Sequence, residues 1–182
     1  MNRRGFTAVE MVTVIGIMVL LVAMTVPAIG PGLQRGRVND GANAIITAHS
    51  QAHLLALTQV DPNKTAKNQY FVMIDYETAG SRYVVTVGVQ ENDGSLTVKR
   101  TLKLHPGVSV YRKDIELTSP LTWNYQNRTG LLMPDDTSTT MTDIATFSDP
   151  TKELSVRQRG NASKVRANIA LYGPGVAHAQ DG

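Results

Sequence analysis

The chain of 182 residues contains no cysteine. That absence removes a disulfide framework, a thiolate metal site and a cysteine nucleophile together. It leaves the compartment open, because a disulfide is optional in an oxidising one. Aromatic residues are scarce at 5%, and only 18% of residues are charged. An excess of one sign is missing too. Eighteen basic residues against fifteen acidic ones give +3, and without Arg3 and Arg4 the sixteen remaining basic residues leave +1. Bulk charge therefore does not mark a nucleic-acid binder, and any basic patch has to be local. The length suits one domain of about 100–200 residues.

The familiar catalytic arrangements are also absent. Gly30-Pro31-Gly32 precedes no GK[ST] and follows no strand, so no phosphate loop is present. Ser50 has no nucleophile-elbow context. Of the four histidines, His49 and His53 stand one helical turn apart, the spacing of a zinc pair. Their segment, HSQAH, lacks the glutamate of a metalloprotease helix, and the pair flanks the apolar stripe instead of centring it. A solvated position or a helix–sheet edge is expected for both. The chain reads as no enzyme, and no cofactor is expected.

What the sequence does have is one long apolar run. From Met11 to Ile29 it reads MVTVIGIMVLLVAMTVPAI, nineteen residues without a charge. A helix of that length spans about 28 Å, close to the ~30 Å of bilayer hydrocarbon. Arg3 and Arg4 precede it, so the positive-inside rule holds Met1 in the cytoplasm and sends the C-terminus outward. A secretory signal has a shorter apolar core of about 7–15 residues. A twin-arginine signal, suggested by Arg3-Arg4-Gly5-Phe6, has a weaker one. A plain anchor leaves Glu10 unexplained, since a carboxylate in a spanning helix costs about 2.5–3.5 kcal/mol on insertion scales.

Gly5-Phe6-Thr7-Ala8-Val9-Glu10, after a short Arg-containing leader and before an apolar stretch with Pro27 near its end, resembles the class III signal of type IV pilins and type II secretion pseudopilins. The match covers residues 3–29; beyond them the likeness is one of architecture. The resemblance implies that a membrane prepilin peptidase cuts between Gly5 and Phe6 and methylates the new amine. The helix then begins with an amine at Phe6 and carries a carboxylate one turn on, at Glu10. When such helices stack with an axial stagger, the amine of one can meet the Glu10 of another. A buried charge without its partner costs several kcal/mol, so the pair rewards correct register. Thr7, Thr13, Gly16 and Thr25 supply small or hydroxyl positions for that packing.

Further along, Gly30-Pro31-Gly32 is expected to kink or interrupt the helix. A second helical stretch runs from about Asn39 to Gln59, with Ile45, Ala48, Ala52 and Leu55 as its apolar stripe. Strand character follows at Tyr70–Tyr76, Arg82–Gln90, Ser95–Leu104, Val108–Arg112, Leu121–Gln126, Leu131–Met133, Glu153–Arg159 and Lys164–Leu171. Asn92-Asp93-Gly94 is the strongest hairpin signal. Residues 134–150 read as a long polar loop with a short strand or turn around Ile144–Phe147. The tail is expected to be ordered only if Val176 and Ala177 add a short edge strand. The fold class is α+β: a long N-terminal transmembrane or filament helix packed on an antiparallel sheet. The divisions are a leader over 1–5, a transmembrane or filament-core helix over 6–29, its second part over 30–60, and a β-rich periplasmic or extracellular domain over 61–182. A helix followed almost entirely by strands and a final basic hairpin is similar to the GspH/FimT group of minor pseudopilins and minor pilins. The C-terminal cysteine pair of many major pilins is missing.

Two further sites come from the C-terminal half. If Gly160–Ser163 is a four-residue loop, Arg159 pairs with Lys164 and Arg157 with Arg166, which puts four cations on one outward face. Like charges set opposite each other invite an anionic partner, or an internal acid such as Asp135 or Asp136. The face is either solvated and blunted against edge pairing or, as the likeness to competence pilins suggests, a grip on DNA or an acidic subunit. Asp135, Asp136, Asp143 and Asp149 offer carboxylates to calcium, because major pseudopilins carry such a site in an acidic loop. Their spacing matches no EF-hand, so Asp135 and Asp136 are candidates only by ligand type. Asn63, Asn127 and Asn161 begin glycosylation-type triplets, which carry little weight here.

Three functions follow. The first is a structural minor subunit of a type II secretion pseudopilus, anchored in the inner membrane with its C-terminal domain in the periplasm and partnered by the peptidase and other pseudopilins. The second is a minor type IV pilin in a cell-surface filament, for pilus initiation or DNA uptake. The third is a membrane-anchored binding domain that never polymerises.

Overall fold

Polar backbone in an apolar segment has to satisfy its own hydrogen bonds, and a helix does so within one segment. In the computed structural model, which describes residues 7–58, 70–91, 93–112, 114–133, 154–160, 166–171 and 177–181, helix α1 runs from Ala8 to Thr58. No interruption occurs at Gly30-Pro31-Gly32. Pro27 and Pro31 each remove one backbone hydrogen bond, one turn apart, which thins the ladder on one side without ending it. The chain falls into two units, Met1–Gly36 and Arg37–Gly182.

In the first unit every described side chain from Thr7 to Thr25 is exposed, apolar ones included. The helix is long and apolar enough to cross a membrane. Its hydroxyls are folded back onto the backbone: Thr13 Oγ1 donates to the Val9 carbonyl at 2.8 Å and Thr25 Oγ1 to the Leu21 carbonyl at 3.1 Å. A hydroxyl satisfied in this way adds little polarity to an apolar surface.

In the second unit the same helix becomes one-sided. Val38, Ala42, Ile45, Ala48, Ala52 and Ala56 are buried and recur at helical spacing, while Asn43, Thr47, Ser50, Leu54 and Leu57 face out. Leu55 is only partly buried. Alanine dominates the buried stripe, which lets the helix axis approach the strands closely.

Among the described residues, ten strands form two antiparallel sheets. Sheet 1 has the order β3-β2-β1-β6-β7, from Leu96–Lys103, Arg82–Gln90, Tyr70–Glu77, Leu121–Tyr125 and Leu132–Met133. Sheet 2 has the order β10-β9-β8-β4-β5, from Ala177–Asp181, Arg166–Leu171, Leu154–Gln158, Val108–Arg112 and Ile115–Glu116. The expected single sheet is thus two, and β5 was not anticipated. The tail strand β10 pairs with β9 and is longer than the edge strand foreseen at Val176 and Ala177. Alternation sets the core. Tyr70, Val72 and Ile74 on β1, Val85, Val87 and Val89 on β2, and Trp123 and Tyr125 on β6 face inward from sheet 1. Val108 and Val110 on β4, Leu154 and Val156 on β8, and Ala167, Ile169 and Leu171 on β9 answer from sheet 2.

The helix reaches both sheets. A Cβ at Gly41 would lie 3.1 Å from Val156 and 3.7 Å from Val108, both in sheet 2. Two turns on, His49 meets Tyr125 of sheet 1. The β2–β3 hairpin closes as its sequence suggested, with Gly94 at φ +84° and Glu91 N–H donating to the Ser95 carbonyl at 2.8 Å.

The buried alanine stripe leads to an asymmetric expectation. Ala48→Leu, at a position with no exposed surface, should destabilise the β-rich unit by about 1–3 kcal/mol through overpacking. Thr47→Leu, on the outer side of the same turn, should stay within about 0.5 kcal/mol. Thermal melts of both variants check this.

Candidate functional site

The start of α1 carries the most specific chemistry. Thr7 precedes the first helical residue and acts as its cap. Its backbone N–H and its Oγ1 both donate to Glu10 Oε2, at 2.8 and 2.9 Å, and its Oγ1 accepts from the Glu10 N–H at 3.3 Å. This reciprocal pair is a capping box, which satisfies helix-start donors that otherwise have no partner. The carboxylate also lies at the positive end of the helix dipole. Glu10 therefore has a partner within its own chain. Gly5 and Phe6, the expected processing positions, lie outside the described residues.

The basic hairpin has a more divided structure. The register sets Arg157 opposite Arg166, as the loop count anticipated. Lys164 lies outside the described residues. Arg157 is not turned out to water. Its side chain is 11% exposed, its guanidinium lies 4.4 Å from the centre of the Tyr111 ring, and its Nε donates to Ser155 Oγ at 2.9 Å. It also forms an ion pair with Asp114. Arg159 donates to the Ser81 carbonyl at 2.8 Å and stacks over Tyr76 at 5.4 Å, tying the end of β8 to the β1–β2 turn. Of the four expected outward cations, Arg166 is exposed, and Arg157 and Arg159 are engaged within the fold. The acid that answers Arg157 is Asp114, whereas Asp135 and Asp136 lie outside the described residues.

Sequence reasoning missed Asp114 because its partner is 43 residues away. The local signal was Lys113-Asp114 between two strand-forming runs, where Asp tolerates a left-handed turn; its φ is +67°.

His49 corrects the expectation of a solvated or edge histidine. It has no exposed surface, its Nδ1 lies 2.5 Å from the Tyr125 hydroxyl, and its ring meets Trp123 edge-on at 5.2 Å. Burial pushes the imidazole down to about 3 and the Tyr125 phenol up. A neutral ring with a protonated phenol means that Tyr125 donates to Nδ1 and the ring proton sits on Nε2, which has no partner among the described residues. His53 Nδ1 donates to the Gly130 carbonyl at 2.9 Å, and the Arg128 N–H donates to the Ala56 carbonyl at 3.0 Å. Gly130 has φ +62°, and a Cβ there would lie 2.7 Å from His53. The β6–β7 loop is thereby clipped to the helix, and the two histidines do structural work. Among the described residues no group of three or more His, Asp or Glu could hold a metal. Asn127 is buried, so this fold withholds it from glycosylation.

No protein-family model matches the chain, and no curated protein or solved structure matches it.

The buried imidazole makes stability depend on acid. Its folded value lies below the unfolded value of about 6.5, so the unfolded chain binds more protons as pH falls. His49 should contribute nothing to the pH dependence above about 6.5. Below that it should remove about 1.4 kcal/mol per pH unit, or about 2 kcal/mol by pH 5. His49→Leu should flatten the difference between melts at pH 7 and pH 5, whatever its stability at neutral pH.

Proposed function

We propose that the chain is a structural minor subunit of a type II secretion pseudopilus, cut after Gly5 by a prepilin peptidase, methylated at Phe6 and assembled through α1. The observation that carries this reading is Gly5-Phe6-Thr7-Ala8-Val9-Glu10 set against a helix whose described side chains from Thr7 to Thr25 are all exposed. Such a surface belongs in hydrocarbon or against other apolar helices. A plain anchor accounts for the apolar surface alone. A subunit that passes from the bilayer into a helix bundle accounts also for the carboxylate, which gains the Phe6 amine of a neighbour. Orientation follows from Arg3 and Arg4, which hold the leader in the cytoplasm and place the β-rich unit in the periplasm.

A minor type IV pilin that takes up DNA is the second reading. What favours it is the facing of Arg157 and Arg166 across two strands. Asp114 and Tyr111 already occupy Arg157, which leaves Arg166 as the exposed member of that pair.

Processing is tested by intact mass of the protein made in a host with a prepilin peptidase. The expected species begins at Phe6 and carries one added methyl group. A chain that keeps Arg3 and Arg4 in such a host overturns the proposal.

A further inference from the structure

Strand β3 differs from every other long strand among the described residues. Its only partner is β2, in a register running from Gln90↔Leu96 to Val84↔Lys103, and among the described residues no strand pairs with its outer edge. All of its residues except Leu102 are exposed, on both faces. Packing against the core therefore does not explain why this sequence is a strand. One face presents Leu96 and Val98, 54% and 55% exposed, opposite Gln90 and Gly88. Gly88 offers Val98 no side chain to lie against, and the space above it is filled by the Phe71 ring.

The charge on this strand is of one sign. Lys99, Arg100 and Lys103 stand in it with no acid. Lys103 meets Glu77 at 3.8 Å, while no acid among the described residues pairs with Lys99 or Arg100. The ladder passes from Val87↔Arg100 to Gly88↔Val98, which leaves Lys99 on a bulge opposite no residue of β2. Bulges and lysines protect an edge from indiscriminate pairing. The same cations also choose. A second β3 would set cation against cation and be rejected, whereas a carboxylate-bearing strand would gain opposite charges. A nucleic acid would use the cations but leave Leu96 and Val98 without a role.

We propose that the free edge of β3 docks an extended, acidic segment of a partner protein. The segment adds to sheet 1 through backbone hydrogen bonds, lays apolar side chains beside Leu96 and Val98, and sets carboxylates against Lys99 and Arg100. In strand addition the backbone supplies affinity and alternate side chains supply specificity. This surface is independent of the helix and of the processing proposed above.

The test uses the full chain in detergent micelles and a fluorescent peptide of alternating Glu and Val, matched in length to β3 and blocked at both ends. Binding is read by anisotropy. The acidic peptide should bind, and its Lys-Val counterpart should not. Lys99→Glu/Arg100→Glu should weaken binding by about tenfold or more, equivalent to ~1.4 kcal/mol. Val98→Thr, which keeps the charges, should weaken it by a smaller factor. A Glu-Val peptide N-methylated along one edge should lose binding, because its charge is kept and its ladder is not. Absence of acidic-peptide binding overturns the proposal, as does equal binding of the Lys-Val peptide. Undiminished binding by the N-methylated peptide also overturns it. So does binding of a single-stranded oligonucleotide that the Lys99→Glu/Arg100→Glu variant loses while the acidic peptide stays unbound.

Discussion

One carboxylate at the head of nineteen uncharged residues is the constraint on which the molecule is organised. The apolar surface has to leave water, and the charge resists leaving it. Within a single chain the conflict is eased by the capping box, in which Thr7 gives Glu10 Oε2 two donors. Those donors are neutral, so the charge itself is not balanced. Away from water an unbalanced carboxylate is worth several kcal/mol of instability, and an amine in reach removes it. On the proposed processing, the cut that removes Arg3 and Arg4 creates that amine at Phe6. The molecule would thus have two states for one group: capped locally while alone, and paired with a neighbour when assembled.

The same helix solves a different problem in the β-rich unit, where it must pack on one side only. The change is written in residue size. Valine, leucine and methionine are exposed up to Met24, while Val38, Ala42, Ala48, Ala52 and Ala56 bring the later turns close to the strands. Close approach makes polar groups expensive, and those present are fitted individually. His49 takes the Tyr125 hydroxyl, His53 takes the Gly130 carbonyl, and the His53 ring together with a left-handed φ keeps side chains out at Gly130. Arg157 and Arg159 are fitted likewise: stacking on Tyr111 and a bond to Ser155 absorb Arg157, which strand pairing sets against Arg166, while Arg159 stacks on Tyr76 and bonds the Ser81 carbonyl.

Strands with clean alternation were legible. Val85, Val87 and Val89 gave β2 its face, and Asp93-Gly94 gave the hairpin its turn. The capping box went unread, although a threonine three residues before a glutamate at the head of an apolar run is its signature. The division into two sheets was not legible, because alternation says which residues face inward but not which strands share a ladder. The interruption allowed for at Gly30-Pro31-Gly32 does not occur, for a related reason. A proline lowers helix stability locally, and the outcome depends on the helix on either side of it. His49 was expected in solvent or at a helix–sheet edge because a polar residue flanking an apolar stripe reads as exposed. Its burial rests on Tyr125, a partner 76 residues away that no local pattern announces. The same distance problem hid Asp114 from Arg157.

The central claim is that Glu10 serves contact between subunits and not membrane residence. A photoreactive amino acid at Ile15, an exposed position on the apolar helix, reports such contact directly in membranes of cells that carry a type II secretion system. The measurement compares the native chain with Glu10→Ala at equal membrane insertion. The account expects subunit–subunit adducts from the native chain and about tenfold fewer from the variant, the ratio that ~1.4 kcal/mol of lost pairing sets. Equal yields of adduct from the two chains would contradict it and leave α1 as an anchor.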